Sequence, residues 1–454
     1  MSRLLPRRRW LALSVAAVIV LAGAAGTYAL LRAPGDVEDP GVAFEDEDAG
    51  RGGKDERIIW PTYGYDEART HYLPSELRPP FRRAWSVSGS KLLEFQPVLA
   101  KQTLFLVNNS GLAMAISTRT GAVRWRRRVA RLAASSPSWS RGRVFITTLS
   151  RRIVALNART GRTAWARGLP SRSESSPLAM RGRVYFGSED GTVYALRSRD
   201  GRRLWTHRAG GAVKGAVTYW RGRLYFGDYG GRVTALRASD GRRLWTAGTE
   251  GRALGRAGNF YSTPAVAFGR VYVGNTDGKV YSFSARDGRL AWTRTTGGYV
   301  YASPAVARVP GTPPTVYVGS YDGRFYALDA RSGRPRWSFR SGGKISGAAS
   351  VIGRVVYFSD LGRKATFGLD VRSGRRVFQF GRGAFNPAVS DGKRLFITGY
   401  SSQYAFDPVG RGGATATREP PSGRGRRTER ADRTTREGRR TKRRERSERR
   451  RDRR

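Results

Sequence analysis

Side chains that favour β-strands recur along most of this chain with a period of two. The alternation is clear in residues 184–186 (Val-Tyr-Phe) and 193–196 (Val-Tyr-Ala-Leu), and it is typical of half-buried strands rather than helices. Asp190-Gly191 separates these runs and Asp200-Gly201 follows the second. Both pairs accept the positive φ of a tight hairpin turn. Residues 176–205 are therefore predicted to form four short antiparallel strands.

Near-copies of this unit recur over more than three hundred residues, and each copy ends in an aromatic anchor. The anchors are Trp85, Trp125, Trp165, Trp205, Trp245, Trp292, Trp337 and Phe378. Successive anchors lie 40, 40, 40, 40, 47, 45 and 41 residues apart, which is the length of a four-stranded propeller blade.

The two ends of the array complement each other. Residues 386–406 supply three strands without an anchor after them, whereas Trp85 has no strand-like copy before it. We expect residues 81–87 to provide the missing outer strand, which would hide both terminal edges. The fold class is therefore predicted as all-β, an eight-bladed propeller over residues 81–408.

The end of the blade resembles the pyrroloquinoline-quinone-like (PQQ-like) propeller repeat. Residues 327–337 read Ala-Leu-Asp-Ala-Arg-Ser-Gly-Arg-Pro-Arg-Trp, similar to the family pattern A-x-D-x-x-T/S-G-x-x-x-W. Other copies carry Asn157 or Arg197 at the Asp position. Residues 60–66 (Trp-Pro-Thr-Tyr-Gly-Tyr-Asp), followed by Arg69-Thr70, resemble the lead-in that quinoprotein dehydrogenases carry before their first blade, and residues 58–80 are predicted to form this lead-in segment. The resemblance covers residues 60–408 and implies the fold, but propellers host unrelated activities.

The N-terminal region predicts a membrane anchor. Residues 1–9 contain four arginines and residues 10–31 contain no charged side chain. Twenty-two such residues can span a bilayer, although small residues near the end of the span leave cleavage as a signal peptide open. Arginines before the span predict a cytoplasmic N-terminus and a propeller outside the cytoplasmic membrane. Residues 32–57 are acidic and predicted to form a flexible stalk.

The chain is strongly basic, with a formal net charge of +49. Residues 409–454 contain 19 basic and 7 acidic side chains and are predicted to be a disordered Arg-rich tail. Residues 81–408 contain 55 basic and 16 acidic side chains. This excess predicts an envelope protein, an anionic wall polymer or a lipid surface as partner. Compositional bias is the alternative, since Arg recurs at hairpin positions such as 141–143.

Residues for chemistry are few. The chain has no cysteine, and its two histidines, His71 and His207, have no metal-binding spacing. The Asp-Gly pairs that start at 190, 277 and 322 each offer one carboxylate, whereas calcium needs six or more oxygens. Quinoprotein dehydrogenases hold PQQ with calcium over the propeller axis, but this chain lacks a cysteine pair and long roofing loops. No catalytic residue and no cofactor are predicted.

The residues that lead into the innermost strand of each blade are expected to converge at one end of the axis. They are Glu94, Arg131, Glu174, Lys214, Tyr261, Tyr301, Lys344 and Phe385. Charged and aromatic side chains in one ring suit contact with a protein or a glycan. The alternative is that they only cap a solvent-filled channel.

The sequence thus predicts a membrane-anchored, outward-facing propeller that acts as a non-catalytic binding or scaffold protein of the bacterial envelope. Its architecture resembles the propeller scaffold of the outer-membrane β-barrel assembly machine. One alternative is a PQQ-dependent dehydrogenase-like protein. A second is a polyanion or nucleic-acid binding protein. The predicted export of the propeller argues against nucleic acid as the ligand.

Overall fold

A computed structural model describes residues 35–46, 60–249 and 258–409. These residues form eight β-sheets, each with four antiparallel strands, and no helix. Within these ranges no helix could cross a membrane. The predicted transmembrane helix at residues 10–31 and the predicted Arg-rich tail after residue 409 lie outside the described residues.

The strands follow the chain blade by blade. Two strands come before the first complete blade: β1 (Tyr72–Leu73) and β2 (Phe81–Ser88). Blades 1 and 2 contain β3 (Val98–Ala100), β4 (Thr103–Val107), β5 (Leu112–Ser117), β6 (Val123–Arg128), β7 (Ser138–Ser140), β8 (Arg143–Thr148), β9 (Arg152–Asn157) and β10 (Thr163–Gly168). Blades 3 and 4 contain β11 (Leu178–Met180), β12 (Arg183–Gly187), β13 (Thr192–Arg197), β14 (Arg203–Arg208), β15 (Thr218–Trp220), β16 (Arg223–Gly227), β17 (Arg232–Arg237) and β18 (Arg243–Gly248).

The second half repeats the arrangement. Blades 5 and 6 contain β19 (Ala265–Ala267), β20 (Arg270–Gly274), β21 (Lys279–Ser284), β22 (Leu290–Thr295), β23 (Ala305–Ala307), β24 (Thr315–Gly319), β25 (Arg324–Asp329) and β26 (Pro335–Arg340). Blades 7 and 8 contain β27 (Ser350–Ile352), β28 (Val355–Asp360), β29 (Ala365–Asp370), β30 (Arg376–Phe380), β31 (Val389–Ser390), β32 (Leu395–Thr398) and β33 (Ser402–Pro408). Strand β1 adds in parallel to β27.

Strand β2 completes blade 8, as the sequence predicted. It pairs antiparallel with β33, from Phe81 opposite Pro408 to Ser88 opposite Ser402. The first long strand of the propeller therefore lies on the last one, and the ring contains eight four-stranded blades. This pairing covers an edge that would otherwise be exposed on each strand.

Each anchor joins its blade to the next one. The Trp125 indole donates a hydrogen bond from Nε1 to the carbonyl of Ala158 at 3.0 Å, and Trp165 donates to Ser198 at 3.0 Å. Gly161, at a φ of +70°, lies so close that a Cβ added there would be 2.7 Å from the Trp125 ring. The glycine of the blade-end motif thus has two roles: it supplies the turn and it leaves room for the preceding anchor.

The same joint recurs around the ring. The other tryptophan anchors also donate from Nε1 to a carbonyl of the next blade. The pairs are Trp85 with Thr118, Trp205 with Ala238, Trp245 with Ala285, Trp292 with Ala330 and Trp337 with Val371. Phe378 has no such donor. Its ring instead contacts Phe81 and Phe406 of blade 8, with centroids 5.6 and 6.2 Å apart. The joint without an indole is therefore the one reinforced by the closing strands.

The sequence predicted a flexible stalk at residues 32–57, but residues 35–46 pack against the propeller. This acidic strap lies along the outer edge of blade 5, where Glu38 forms an antiparallel bridge with Trp292. Val42 is buried, and Phe44 stacks on Phe268 with centroids 5.4 Å apart. For residues 35–46 the prediction was wrong, because composition alone does not reveal that arginines of the propeller pair with these carboxylates. The remainder of the predicted stalk, residues 32–34 and 47–57, lies outside the described residues.

The anchor joint can be tested with two glycine-to-alanine variants. Gly161→Ala and Gly142→Ala both place alanine at a positive φ, +70° and +78°, but a Cβ at Gly142 would meet nothing within 4 Å. Both should lose about 1–2 kcal/mol of unfolding free energy from backbone strain. Gly161→Ala should lose a further ~1–3 kcal/mol, because its methyl group overpacks the Trp125 ring. Urea denaturation measures both, and equal losses would refute the proposed contact.

Candidate binding surface on the propeller axis

The lead-in segment runs across the propeller axis and contacts successive blades. The carbonyl of Trp60 accepts a hydrogen bond from the N–H of Leu99 in blade 1 at 2.8 Å. Further along, the carbonyls of Glu67 and His71 accept from Tyr219 in blade 4 and Val351 in blade 7, both at 2.8 Å. Three more carbonyls of the segment accept hydrogen bonds from backbone N–H groups of the blades: Pro61 from Trp139, Ala68 from Val266 and Thr70 from Val306. The segment therefore ties the innermost strands together from inside the ring.

A buried arginine holds this axial segment in place. The Arg69 guanidinium is fully buried and donates to the carbonyl oxygen of Val217 at 3.2 Å and to that of Ser176 at 3.4 Å. It also donates to the carbonyl oxygen of Tyr63. Burial lowers its pKa to about 10. Carbonyl dipoles of two blades and of the segment itself thus replace the water that the cation loses on burial.

His71 is buried beside it in the same segment. Burial and, secondarily, the charge of Arg69 lower the pKa of His71 to about 3. Its imidazole is therefore neutral at physiological pH, and it makes an edge contact with Tyr63, with centroids 5.1 Å apart. These features fit a structural histidine.

A cavity of about 300 Å³ opens at one end of the axis. Six of the eight predicted axial residues line it: Glu94, Glu174, Lys214, Tyr261, Tyr301 and Phe385. Tyr63 of the axial segment also lines the cavity and donates from its hydroxyl to Ser303 Oγ at 2.9 Å. The cavity is therefore bounded by the blades around it and by the lead-in segment.

Two predicted residues lie outside the cavity lining. Arg131 is exposed, and its backbone N–H donates to Ser150 Oγ at 3.2 Å. Lys344 is also exposed, and its ammonium lies 5.4 Å from the centroid of the Tyr321 ring. Arg131 and Lys344 lie seven and six residues before the innermost strands of their blades, whereas each of the six lining residues lies four residues before its strand. The repeat position predicted from the sequence was therefore wrong in these two blades, and Ser346, four residues before β27, lines the cavity instead of Lys344.

One carboxylate is central to the charged part of the cavity. Glu174 Oε1 lies 2.8 Å from the Lys214 ammonium, and its Oε2 accepts a hydrogen bond from the Tyr261 hydroxyl at 3.1 Å. Burial, followed by the charge of Glu174, raises the pKa of Tyr261. Lys214 also lies 3.7 Å from Glu189. Glu174, Lys214 and Tyr261 are therefore engaged with one another.

Aromatic side chains continue from this charged group. We call Tyr229, Tyr261, Tyr299, Tyr301 and Tyr321 the tyrosine arc; neighbouring ring centroids in it lie 4.8–6.3 Å apart. Tyr299 is 54% exposed. Tyrosine rings offer large contact area at low entropic cost together with a hydroxyl for hydrogen bonding. Such an arc suits recognition of a protein segment.

Sequence reasoning missed three members of the arc. Tyr229 and Tyr321 each lie sixteen residues before their anchors, Trp245 and Trp337, in the turn between the second and third strands. Tyr299 lies in the connection between blades 5 and 6. Aligning the repeats on their anchors would have revealed the first two, because the turn position is then constant.

The cavity does not fit PQQ with calcium. Its carboxylates are Glu94 and Glu174, and the second is already paired with Lys214. In the described ranges no group of three or more His, Cys, Asp or Glu side chains could hold a metal ion. Calcium binding needs six or more converging oxygens.

Comparisons with known proteins agree with the fold. The family described as outer membrane protein assembly factor BamB matches residues 81–221 and 302–447. No curated protein matches the chain in sequence. Among solved structures, BamB from Moraxella catarrhalis is 18% identical with a TM-score of 0.60, and covers 72% of this chain and 100% of its own.

Quinoprotein enzymes share the same architecture. The quinohemoprotein alcohol dehydrogenase ADHIIG from Pseudomonas putida HK5 is 12% identical with a TM-score of 0.67, covering 77% of this chain and 80% of its own. The quinohemoprotein alcohol dehydrogenase from Comamonas testosteroni is 14% identical with a TM-score of 0.67, covering 79% and 81%. At these identities the likeness shows the fold alone.

The cavity predicts a pH-dependent stability effect of Glu94. Burial, and secondarily the charge of Glu174, raise the pKa of Glu94. The ionised form is therefore disfavoured in the folded state, so this carboxylate costs stability as the pH rises through its folded pKa. Glu94→Gln should stabilise the protein at pH 7, and the gain should shrink towards pH 4.

Chemical denaturation at both pH values measures the effect, with Glu76→Gln at an exposed carboxylate as control. The control should change little at either pH. A Glu94→Gln gain that is the same at pH 4 and pH 7 would contradict the assigned pKa direction.

Proposed function

This chain belongs to the family described as outer membrane protein assembly factor BamB, and from that membership we propose that it is a non-catalytic binding scaffold of the bacterial cell envelope. The observation that carries the proposal is the axial surface. Its Glu174 carboxylate is held by Lys214 and Tyr261, and the tyrosine arc continues from it. A surface in which Glu174 and Lys214 are already paired, and which continues into exposed tyrosine rings, is suited to recognition of a protein partner.

The sequence of the N-terminal region also supports a proposal for the cellular localisation of the protein. We infer a single-pass protein of the cytoplasmic membrane, anchored by residues 10–31, with its propeller on the extracytoplasmic side. The arginines before the uncharged stretch and the acidic residues after it support this orientation. The partner is then an envelope protein that contacts the axial surface.

Polyanion binding is a second candidate, favoured by the charge of the propeller. Residues 81–408 carry 55 basic and 16 acidic side chains. Such an excess attracts anionic lipid surfaces and wall polymers through many weak contacts, each screened beyond about 8 Å at physiological salt. This association would hold the propeller near an anionic surface without specifying a partner.

The function and the orientation can be tested in one experiment. Because the chain has no cysteine, Tyr299→Cys introduces a unique thiol in the tyrosine arc. A membrane-impermeant, thiol-reactive photo-crosslinker added to intact spheroplasts should label it. Illumination should then give a discrete protein adduct, since the arc is proposed to bind a partner.

Leu244→Cys is the matched control, because Leu244 is 38% exposed on the outer strand of blade 4, away from the axis. It should be labelled equally but give no discrete adduct. Labelling that requires membrane permeabilisation would refute the outward orientation. Labelling of Tyr299→Cys without a discrete adduct would refute the axial binding surface.

A further inference from the structure

The acidic strap shows how the outer edge of a blade can bind an extended peptide. The backbone of Asp39 donates to the Ala291 carbonyl at 2.7 Å, and Thr293 donates to the Val37 carbonyl at 2.9 Å. The strap therefore extends the sheet of blade 5 beyond β22, as peptides do in β-strand addition. Ala291, Trp292 and Thr293 are buried as a result.

Six arginines pair with carboxylates of the strap: Arg221 with Glu45, Arg308 with Asp46, and four arginines near the anchors of blades 5 and 6. Asp36 lies 2.9 Å from Arg294, within β22, and Asp39 lies 3.0 Å from Arg289, just before that strand. Glu38 lies 3.1 Å from Arg334, and Asp46 lies 3.0 Å from Arg331. Both of these arginines belong to the blade-end turn of blade 6. Strand pairing sets the register, and the arginines select acidic side chains.

The positions of the four arginines near the anchors can be stated in terms of the repeat. Arg289 lies three residues before the anchor Trp292, and Arg294 lies two residues after it. Arg334 and Arg331 lie three and six residues before the next anchor, Trp337.

Blade 2 reproduces all four positions. Arg162 and Arg167 lie three residues before and two after Trp165, and Arg202 and Arg199 lie three and six residues before Trp205. Every other pair of neighbouring blades replaces at least one of the four, for example with Ala122, His207, Ala247 or Phe339. Among the eight blades, the full arginine set therefore occurs at blade 5 and blade 2.

The edge of blade 2 is open. In β10 only Trp165 is half-buried and the other five residues are exposed, in contrast to the buried centre of β22. Arg162, Arg167 and Arg202 have no carboxylate within ion-pair distance in the described part of the chain, whereas Arg199 lies 3.6 Å from Asp200. Three of the four guanidinium groups are thus available to a ligand.

We propose that the outer edge of blade 2 binds an extended acidic segment of a partner protein, by strand pairing with β10 and ion pairs with Arg162, Arg167 and Arg202. The inference rests on the proposed function, because it names the chemistry of a partner for a binding propeller. It concerns a surface distinct from the tyrosine arc.

The same comparison defines what the segment should look like. At blade 5, Phe44 of the strap stacks on the aromatic ring of Phe268. The repeat-equivalent residue at blade 2 is Arg141, before the Gly142-Arg143 turn. The segment at blade 2 should therefore carry carboxylates along its length and need no aromatic residue.

A synthetic peptide provides the test with the full chain. The probe is a fluorescent Gly-Asp-Val-Glu-Asp-Pro-Gly peptide with a photoreactive residue in place of its valine. Since the chain's own strap occupies blade 5, the added peptide should bind at blade 2 and crosslink to residues 162–168. A control peptide with Asn and Gln in place of its carboxylates should bind at least tenfold more weakly.

The protein variant removes the three available arginines together, as Arg162→Gln, Arg167→Gln and Arg202→Gln. It should weaken peptide binding about tenfold, because three exposed ion pairs are lost. The matched control is Arg372→Gln, Arg375→Gln and Arg376→Gln, three exposed arginines on blade 7. This control should retain the affinity of the unmodified protein.

Three results would overturn the inference. Equal losses in the two triple variants would mean that the peptide responds only to total charge. Crosslinks to residues 290–295 would mean that it displaces the strap from blade 5. No measurable binding would exclude the site. None of these outcomes bears on the axial adduct expected at Tyr299→Cys, so failure here and failure of the proposed function are distinguishable.

Discussion

The contact between an anchor ring and the turn glycine of the next blade is the interaction on which this ring depends. An indole such as Trp125 lies against Gly161 and donates to a carbonyl three residues before that glycine. One contact therefore fixes both the distance and the rotation between neighbouring blades. A residue with a Cβ at the glycine would push the ring away, and an aliphatic anchor would leave the carbonyl without its donor.

Two further devices complete the ring. Strand β2 closes blade 8 from the other end of the array, at the joint where Phe378 lacks an indole donor. The axial segment ties the innermost strands from inside, with buried Arg69 bonded to carbonyls of blades on one side of the ring. The blade walls and the axial cavity are therefore presented by a closed scaffold, and their differences arise from side chains rather than from the backbone.

The sequence predicted the repeated parts well, because they obey a local rule. The anchor spacing gave the number of blades, and the mismatch between the two ends of the array gave the closure. Six axial residues, including Glu174 and Tyr261, line one cavity because each follows from its place in the repeat.

The features that the sequence did not predict, such as the acidic strap, depend on contacts between residues far apart in the chain. Asp36 meets Arg294 across more than two hundred and fifty residues, and no local pattern distinguishes such a strap from a linker. Tyr299 reaches the arc from the connection between blades 5 and 6. Arg131 and Lys344 are a different kind of miss, because they lie seven and six residues before their innermost strands and not four, as the six lining residues do.

Ring closure by β2 is the central structural claim, and an engineered disulfide tests it most directly. Ser88→Cys with Ser402→Cys places two thiols on paired residues of β2 and β33. Thr192→Cys with Arg208→Cys does the same at the equivalent position inside blade 3. On mild oxidation, both variants should form the bridge within a monomer, because both pairs are cross-strand neighbours. Free thiols or disulfide-linked dimers in the first variant, with an intramolecular bridge in the second, would show that the ring is not closed by this strand.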